Sequence, residues 1–181
     1  EGINNIYPEL HVIPIIVGIV ILLFTVQQFG TAAIGKFFGP FMVVWFSFLG
    51  YLGAIQIIDN PIVLKALNPW YAINLVTNID GGFWILGSVF LCTTGAEALY
   101  SDLGHCGKGN IRVSWGFVAT LLVMNYMGQA ALCLSPGFTL SGSETVFYSM
   151  VPNGMMPFAI VIATAATIIA SQALITGVFT L

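Results

Sequence analysis

The stretch Phe90-Leu91-Cys92-Thr93-Thr94-Gly95-Ala96-Glu97-Ala98-Leu99-Tyr100 sets a single carboxylate, Glu97, inside a long apolar run. The remaining Asp, Glu, Lys and Arg residues stand near segment ends or in polar connections. An ionised side chain at the centre of a bilayer costs roughly 2.5 kcal/mol or more on insertion scales. Such a residue is kept where it faces a cavity, a partner or an ion. The stretch therefore reads as a membrane segment with a task.

Composition agrees. The chain has 181 residues, 58% of them hydrophobic and 6% charged, where a soluble domain carries about 25% charged residues. Its mean hydropathy is +0.98. These values describe a membrane protein. A net charge of −3 and the lack of any basic run exclude a nucleic-acid partner. Cys92, Cys106 and Cys133 show no metal-ligand spacing and read as small packing residues. There is no arguable Ser/His/Asp set and no phosphate-cradling Gly-Lys loop, and the two histidines lie far apart. Neither an enzyme nor a bound cofactor is expected. The chain opens at Glu1 without a signal-peptide pattern and closes at Leu181 within an apolar run. It is expected to be the central part of a longer protein.

Only helices and closed barrels satisfy their backbone in lipid, and about 20 mostly apolar residues span it as a helix. Five stretches qualify, at about 12–28, 38–58, 82–103, 111–134 and 157–178, and none shows strand alternation. The expected fold is an all-α polytopic membrane bundle. Pro14 suits a first helical turn, and Gly39-Pro40 is expected to open the second span. Between the spans, 59–81 reads as an interfacial loop with short helical pieces. Asn60-Pro61 and Asn68-Pro69 mark its turns, and Trp70-Tyr71 suits the headgroup region. Residues 135–156 read as a polar loop punctuated by Gly, Pro and Ser. Lys36, Lys108 and Arg112, three of the four basic residues, fall on one side of this topology. That side is expected to be cytoplasmic and both long loops extracellular.

Thr93-Thr94-Gly95 lies about 17–20 Å along the third span at 1.5 Å per residue, near the bilayer midplane. Gly weakens a helix there, and Thr hydroxyls can stand in for backbone partners. An unwound turn would free carbonyl oxygens. Thr94 and Glu97 share a face if the helix continues. Hydroxyl, carbonyl and carboxylate oxygens form a hard ligand set suited to an alkali cation or a proton. The discontinuous helices of secondary transporters work in this way. The plainer alternative is that Glu97 ends the apolar part and begins a polar helix end, with Tyr100 still apolar before Asp102. In the fourth span, Asn125, Tyr126 and Gln129 are expected to bond neighbouring helices, with lining of a permeation path as the alternative. The fifth span carries Ser171 and Gln172 among Ala163, Ala166 and Ala170, a pattern of close helix packing, as are Gly50 and Gly53 on the second.

Specific strings go further. Phe29-Gly30-Thr31, then Ile34-Gly35-Lys36-Phe37-Phe38-Gly39-Pro40-Phe41-Met42 with Trp45-Phe46, resembles the KUP/HAK/KT potassium uptake family. So do Val63-Leu64-Lys65-Ala66-Leu67-Asn68-Pro69 and, most specifically, Thr94-Gly95-Ala96-Glu97-Ala98-Leu99-Tyr100-Ser101-Asp102-Leu103-Gly104-His105. Leu122 to Gln129 and Ile168 to Gly177 look like its later helices. Cys106 stands where an aromatic residue is usual, and Ala130 where a glycine is common. The resemblance covers the whole chain in order. It implies the amino acid–polyamine–organocation (LeuT-like) architecture of two five-helix inverted repeats, of which this chain would hold the fourth to eighth helices. It implies proton-coupled potassium uptake across the cell membrane, with Thr94 and Glu97 at the potassium site. The expected partners are the potassium ion, a coupling proton, the lipid bilayer and the remaining N- and C-terminal parts of the protein, with a homodimer left open. An amino-acid or organic-solute carrier of the same superfamily, and a non-transporting membrane scaffold, remain alternatives.

Overall fold

A computed structural model describes residues 13–14, 16–19, 21, 32–79, 81–92, 108–140 and 145–180. Regular structure among the described residues is entirely helical. Helix α1 spans Ala32–Asp59 and leads into a 3-10 helix at Pro61–Leu67. Helices α2 (Pro69–Asn78) and α3 (Gly82–Cys92) follow. Helix α4 spans Lys108–Cys133, α5 is the single turn Val146–Ser149, and a second 3-10 turn at Asn153–Met155 opens α6, Met156–Thr180.

Each turn follows from local chemistry. Pro61 and Pro69 each occupy a first helical position, where a missing N–H removes nothing. The Asn68 side chain caps α2 by accepting from the Trp70 N–H at 3.0 Å. Gly81, at φ +86°, takes the left-handed conformation that turns the chain from α2 into α3.

One expectation fails at α1. Gly39-Pro40 does not open this helix, which begins at Ala32 and holds Pro40 inside it. Proline frees the carbonyl four residues back and crowds it. Membrane helices tolerate this because neighbouring groups can satisfy the freed carbonyl.

Helices α1 and α4 form the main seam, and they run parallel. Gly50 faces Leu121, Gly53 faces Met124 and Asn125, and Asn60 is bonded to Ala131, so position rises together along both. Helix α6 runs against them. Its Phe158 packs edge-on to Phe48, with ring centroids 5.3 Å apart, while its later residues Ala163 to Ala170 reach the level of Trp45 and Met42. The stretches Phe37–Asp59 and Lys108–Cys133 are long and apolar enough to cross a membrane, and Met156–Gln172 is a shorter apolar helix. Together with the composition, this is a membrane protein of stacked apolar helices.

The core joins Phe48 and Leu52 of α1 to Met150, Val151, Ala159 and Ile162. Met150 and Val151 lie within 135–156, which the sequence presents as a polar loop. They are 3% and 5% exposed. The loop carries two apolar pairs, Val146-Phe147 and Met150-Val151, and α1 offers the aromatic surface that receives them.

Candidate functional site

The polar run of α4, Asn125-Tyr126-Met127-Gly128-Gln129, lies along its seam with α1. On a helix, positions four apart share a face, and Gln129 Nε2 donates to Asn125 Oδ1 at 2.7 Å. Asn125 is 3% exposed, and its Nδ2 donates to the Leu49 carbonyl oxygen of α1 at 3.2 Å. A polar side chain away from water has to find such a partner, and here the partner is another helix's backbone.

Glycines make that reach short enough. A Cβ on Gly53 would stand 2.8 Å from Asn125 Cα, and one on Gly128 would stand 2.8 Å from the Gly53 carbonyl oxygen. No side chain fits at either place without the helices moving apart. At the end of the seam, Asn60 Nδ2 donates to the Ala131 carbonyl oxygen at 3.1 Å, and Ser135 Oγ donates to the same atom at 3.2 Å.

Tyr126 points the other way and is 61% exposed. With Asn125 it borders a cavity of about 480 Å³ between α1, α4, α5 and α6. Trp45 and Leu49 supply the α1 wall, and Ala163, Ala166 and Ala170 the α6 wall. Thr145 and Thr167 add hydroxyls to this largely apolar lining. Small residues on α6 thus leave room here where the sequence pattern suggests close packing. Ser171 Oγ donates to its own helix at the Thr167 carbonyl, 2.8 Å away, and Gln172 is buried on the same helix.

The structure therefore sets Asn125 and Tyr126 on the cavity wall and joins Gln129 to Asn125. Thr93, Thr94, Gly95, Glu97 and Tyr100 lie outside the described residues. Sequence reasoning passed over three contributors. The Leu49 acceptor is a backbone atom and leaves no trace in residue type. Asn60 carries a turn signal that conceals its second role as a tie to α4. Thr145 sits in a stretch whose Ser, Gly and Thr content reads as solvated loop.

Comparison with known proteins gives the site a context. The family described as the K+ potassium transporter integral membrane domain matches residues 1–181. The chain is 52% identical over 186 residues to the "Probable potassium transport system protein Kup" of Flavobacterium psychrophilum, covering 100% of this chain and 28% of that protein. For the protein of the same name in Flavobacterium johnsoniae the identity is 54% over 189 residues, covering 100% and 29%. For that of Lactobacillus delbrueckii subsp. bulgaricus it is 54% over 173 residues, covering 94% and 26%. The chain spans little more than a quarter of the length of the curated relatives it matches. No solved structure matches it.

Proposed function

This chain belongs to the K+ potassium transporter family, and on that premise we propose that it is the central part of a proton-coupled potassium uptake transporter of the cell membrane. The parallel seam of α1 and α4 is the observation that supports this reading of its topology. Two parallel helices that both cross a bilayer begin on the same side. The chain joining them must then return across it. The apolar stretch from Gly82 onward, which contains Glu97, is the only segment between them long and apolar enough to do so.

The same reasoning puts Lys108, Arg112 and the N-terminal end of α1, where Lys36 lies, on one side. Three basic residues at one face favour a cytoplasmic placement. The architecture we favour is the central portion of a five-plus-five inverted repeat of the amino acid–polyamine–organocation type.

Glu97 then lies on a segment that crosses the membrane, near Thr94 and Gly95. A carboxylate there offsets the charge of a desolvated cation or carries a proton, and the Thr94 hydroxyl replaces a hydration oxygen. Neutral Gln at position 97 keeps the size and removes both capacities. In the full-length protein, expressed in a strain lacking its own potassium uptake, Glu97→Gln should lower rubidium uptake at low external potassium about ten-fold or more, as loss of an intramembrane charge at a transport site implies. Near-normal uptake by the well-assembled variant would remove Glu97 from the mechanism. Amino-acid uptake by the unaltered protein without rescue of potassium-limited growth would reject the potassium reading itself.

A further inference from the structure

The 3-10 helix Pro61–Leu67 and α2 bridge α1 and α3, and both ends of this bridge are clamped. At the first end, Val63 is 2% exposed, and the Asn60 side chain is tied to the Ala131 carbonyl oxygen of α4. At the second, the Gly82 N–H donates to the Ile79 carbonyl at 2.9 Å, and a Cβ on Gly82 would stand 2.7 Å from the Val76 carbonyl oxygen. Glycine therefore seats the first turn of α3 directly on the last turn of α2. With α1 and α3 both crossing the membrane, the bridge is held at one membrane face.

Helix α2 is two-faced. Ala72, Leu75, Val76 and Ile79 recur at the i, i+3, i+4, i+7 spacing of one apolar stripe. Asn74, Thr77 and Asn78 form the other face, along which Asn78 Nδ2 donates to Asn74 Oδ1. The Thr77 hydroxyl is bound to its own helix at the Ile73 carbonyl, 2.9 Å away. Trp70 stands on the polar side and Tyr71 at the border, as suits amphipathic rings at headgroup level. The stripe is uncovered, with Leu75 38% and Ile79 51% exposed. Lys65, the only charged residue between Asn60 and Ile79, is exposed on the 3-10 helix. A helix sealed by another helix in a membrane calls for close backbone approach or shared side-chain bonds, as in the α1–α4 seam. The stripe has no glycine and no polar side chain, so it meets neither demand. Lipid tails make no such demand.

We propose that α2 is an interfacial helix seated in the lipid leaflet at the Asp59–Cys133 end of the bundle, with its apolar stripe in the acyl region and Lys65 against the phosphates of anionic phospholipid. Such helices sink their apolar face roughly 5–10 Å into the boundary between headgroups and acyl chains. A lone lysine at that level draws anionic lipid without holding the helix by charge alone. The inference rests on α1 and α3 both crossing the membrane, and it holds whichever solute the protein carries.

Fluorescence quenching in the full-length protein, with its native cysteines replaced and reconstituted in nanodiscs, tests both parts. Bimane is attached at Leu75→Cys on the stripe or at Asn78→Cys on the polar face. Iodide quenches the dye from water, and nitroxide on a lipid acyl chain quenches it from within the leaflet. Iodide quenching at Leu75→Cys should be at least about ten-fold weaker than at Asn78→Cys, with acyl-nitroxide quenching stronger, as an embedded stripe requires. Weak quenching by both agents at Leu75→Cys would mean that protein covers the stripe, and strong iodide quenching there would mean that it faces water. Either result overturns the lipid seat. If Leu75→Cys does not assemble, Ile79→Cys carries the same comparison. Bimane at Leu67→Cys, two residues from Lys65, should be quenched about five-fold more strongly by nitroxide-labelled phosphatidylglycerol than by the phosphatidylcholine equivalent at low salt. Lys65→Gln should make the two lipids equal. Equal quenching with Lys65 in place would overturn the phosphate contact. These readings involve no potassium, so their failure is separate from that of the Glu97→Gln uptake test.

Discussion

The α1–α4 seam and the arm formed by the 3-10 helix, α2 and α3 follow each other in the chain and are built by opposite rules. In the seam, Asn125 and Gly128 are buried and two glycines meet almost backbone to backbone. In the arm, α2 has no buried residue, and Trp70, Tyr71, Phe83 and Trp84 are each at least half exposed. Both regions are apolar, so hydrophobicity does not separate them. Lipid tails are as apolar as leucine, and burying a leucine against another helix brings little in a bilayer. Close backbone approach and shared hydrogen bonds do separate them, and the seam has both.

The comparison breaks first, and hardest, at the glycines. Gly128→Leu drives a side chain into the backbone of Gly53, and overpacking of this kind costs about 3 kcal/mol or more. Thermal unfolding followed by size-exclusion in detergent should show loss of most folded protein. A variant as stable as the parent would mean the two helices are not in contact. The hydrogen bond comes next. Asn125→Leu removes the tie to Leu49, and interhelical side-chain bonds in membranes contribute about 0.6 kcal/mol and at most about 1.7. A drop within that range, measured by reversible unfolding in mixed micelles, would place the seam's strength mainly in the glycine contact. The smallest effect belongs to the arm. Trp70→Ala should change stability by less than about 0.5 kcal/mol, as exposed positions do. A larger loss would show that another part of the full-length protein covers α2.

Much of this was legible in the sequence, for stated reasons. The apolar run at about 111–134 corresponds to the helix Lys108–Cys133, because no Pro or Gly pair interrupts it. Asn60-Pro61 and Asn68-Pro69 announce the short helices of the arm, since Pro starts both and the Asn68 side chain caps the second. Gly50 and Gly53 mark a close contact, which the structure assigns to α4. The start of α1 was misread because proline is treated as a boundary, whereas a helix among neighbours can absorb one. The inward turn at Thr145–Val151 was invisible. Serine and glycine describe how a chain bends, not how deep it goes. The Thr94–Glu97 motif lies outside the described residues and rests on the sequence alone.

The parallel seam also has an electrical consequence. Each helix carries roughly half a negative elementary charge at its carbonyl end. Antiparallel neighbours cancel these ends, whereas α1 and α4 bring theirs to the same side, at Asp59 and Cys133. Asn60 Nδ2, donated to the Ala131 carbonyl, answers part of that charge from within the protein. Helix α6 runs the other way and points its positive end toward that side, while Asp59 adds a full carboxylate there, so the balance of charge at this end is set by backbone direction and one side chain together.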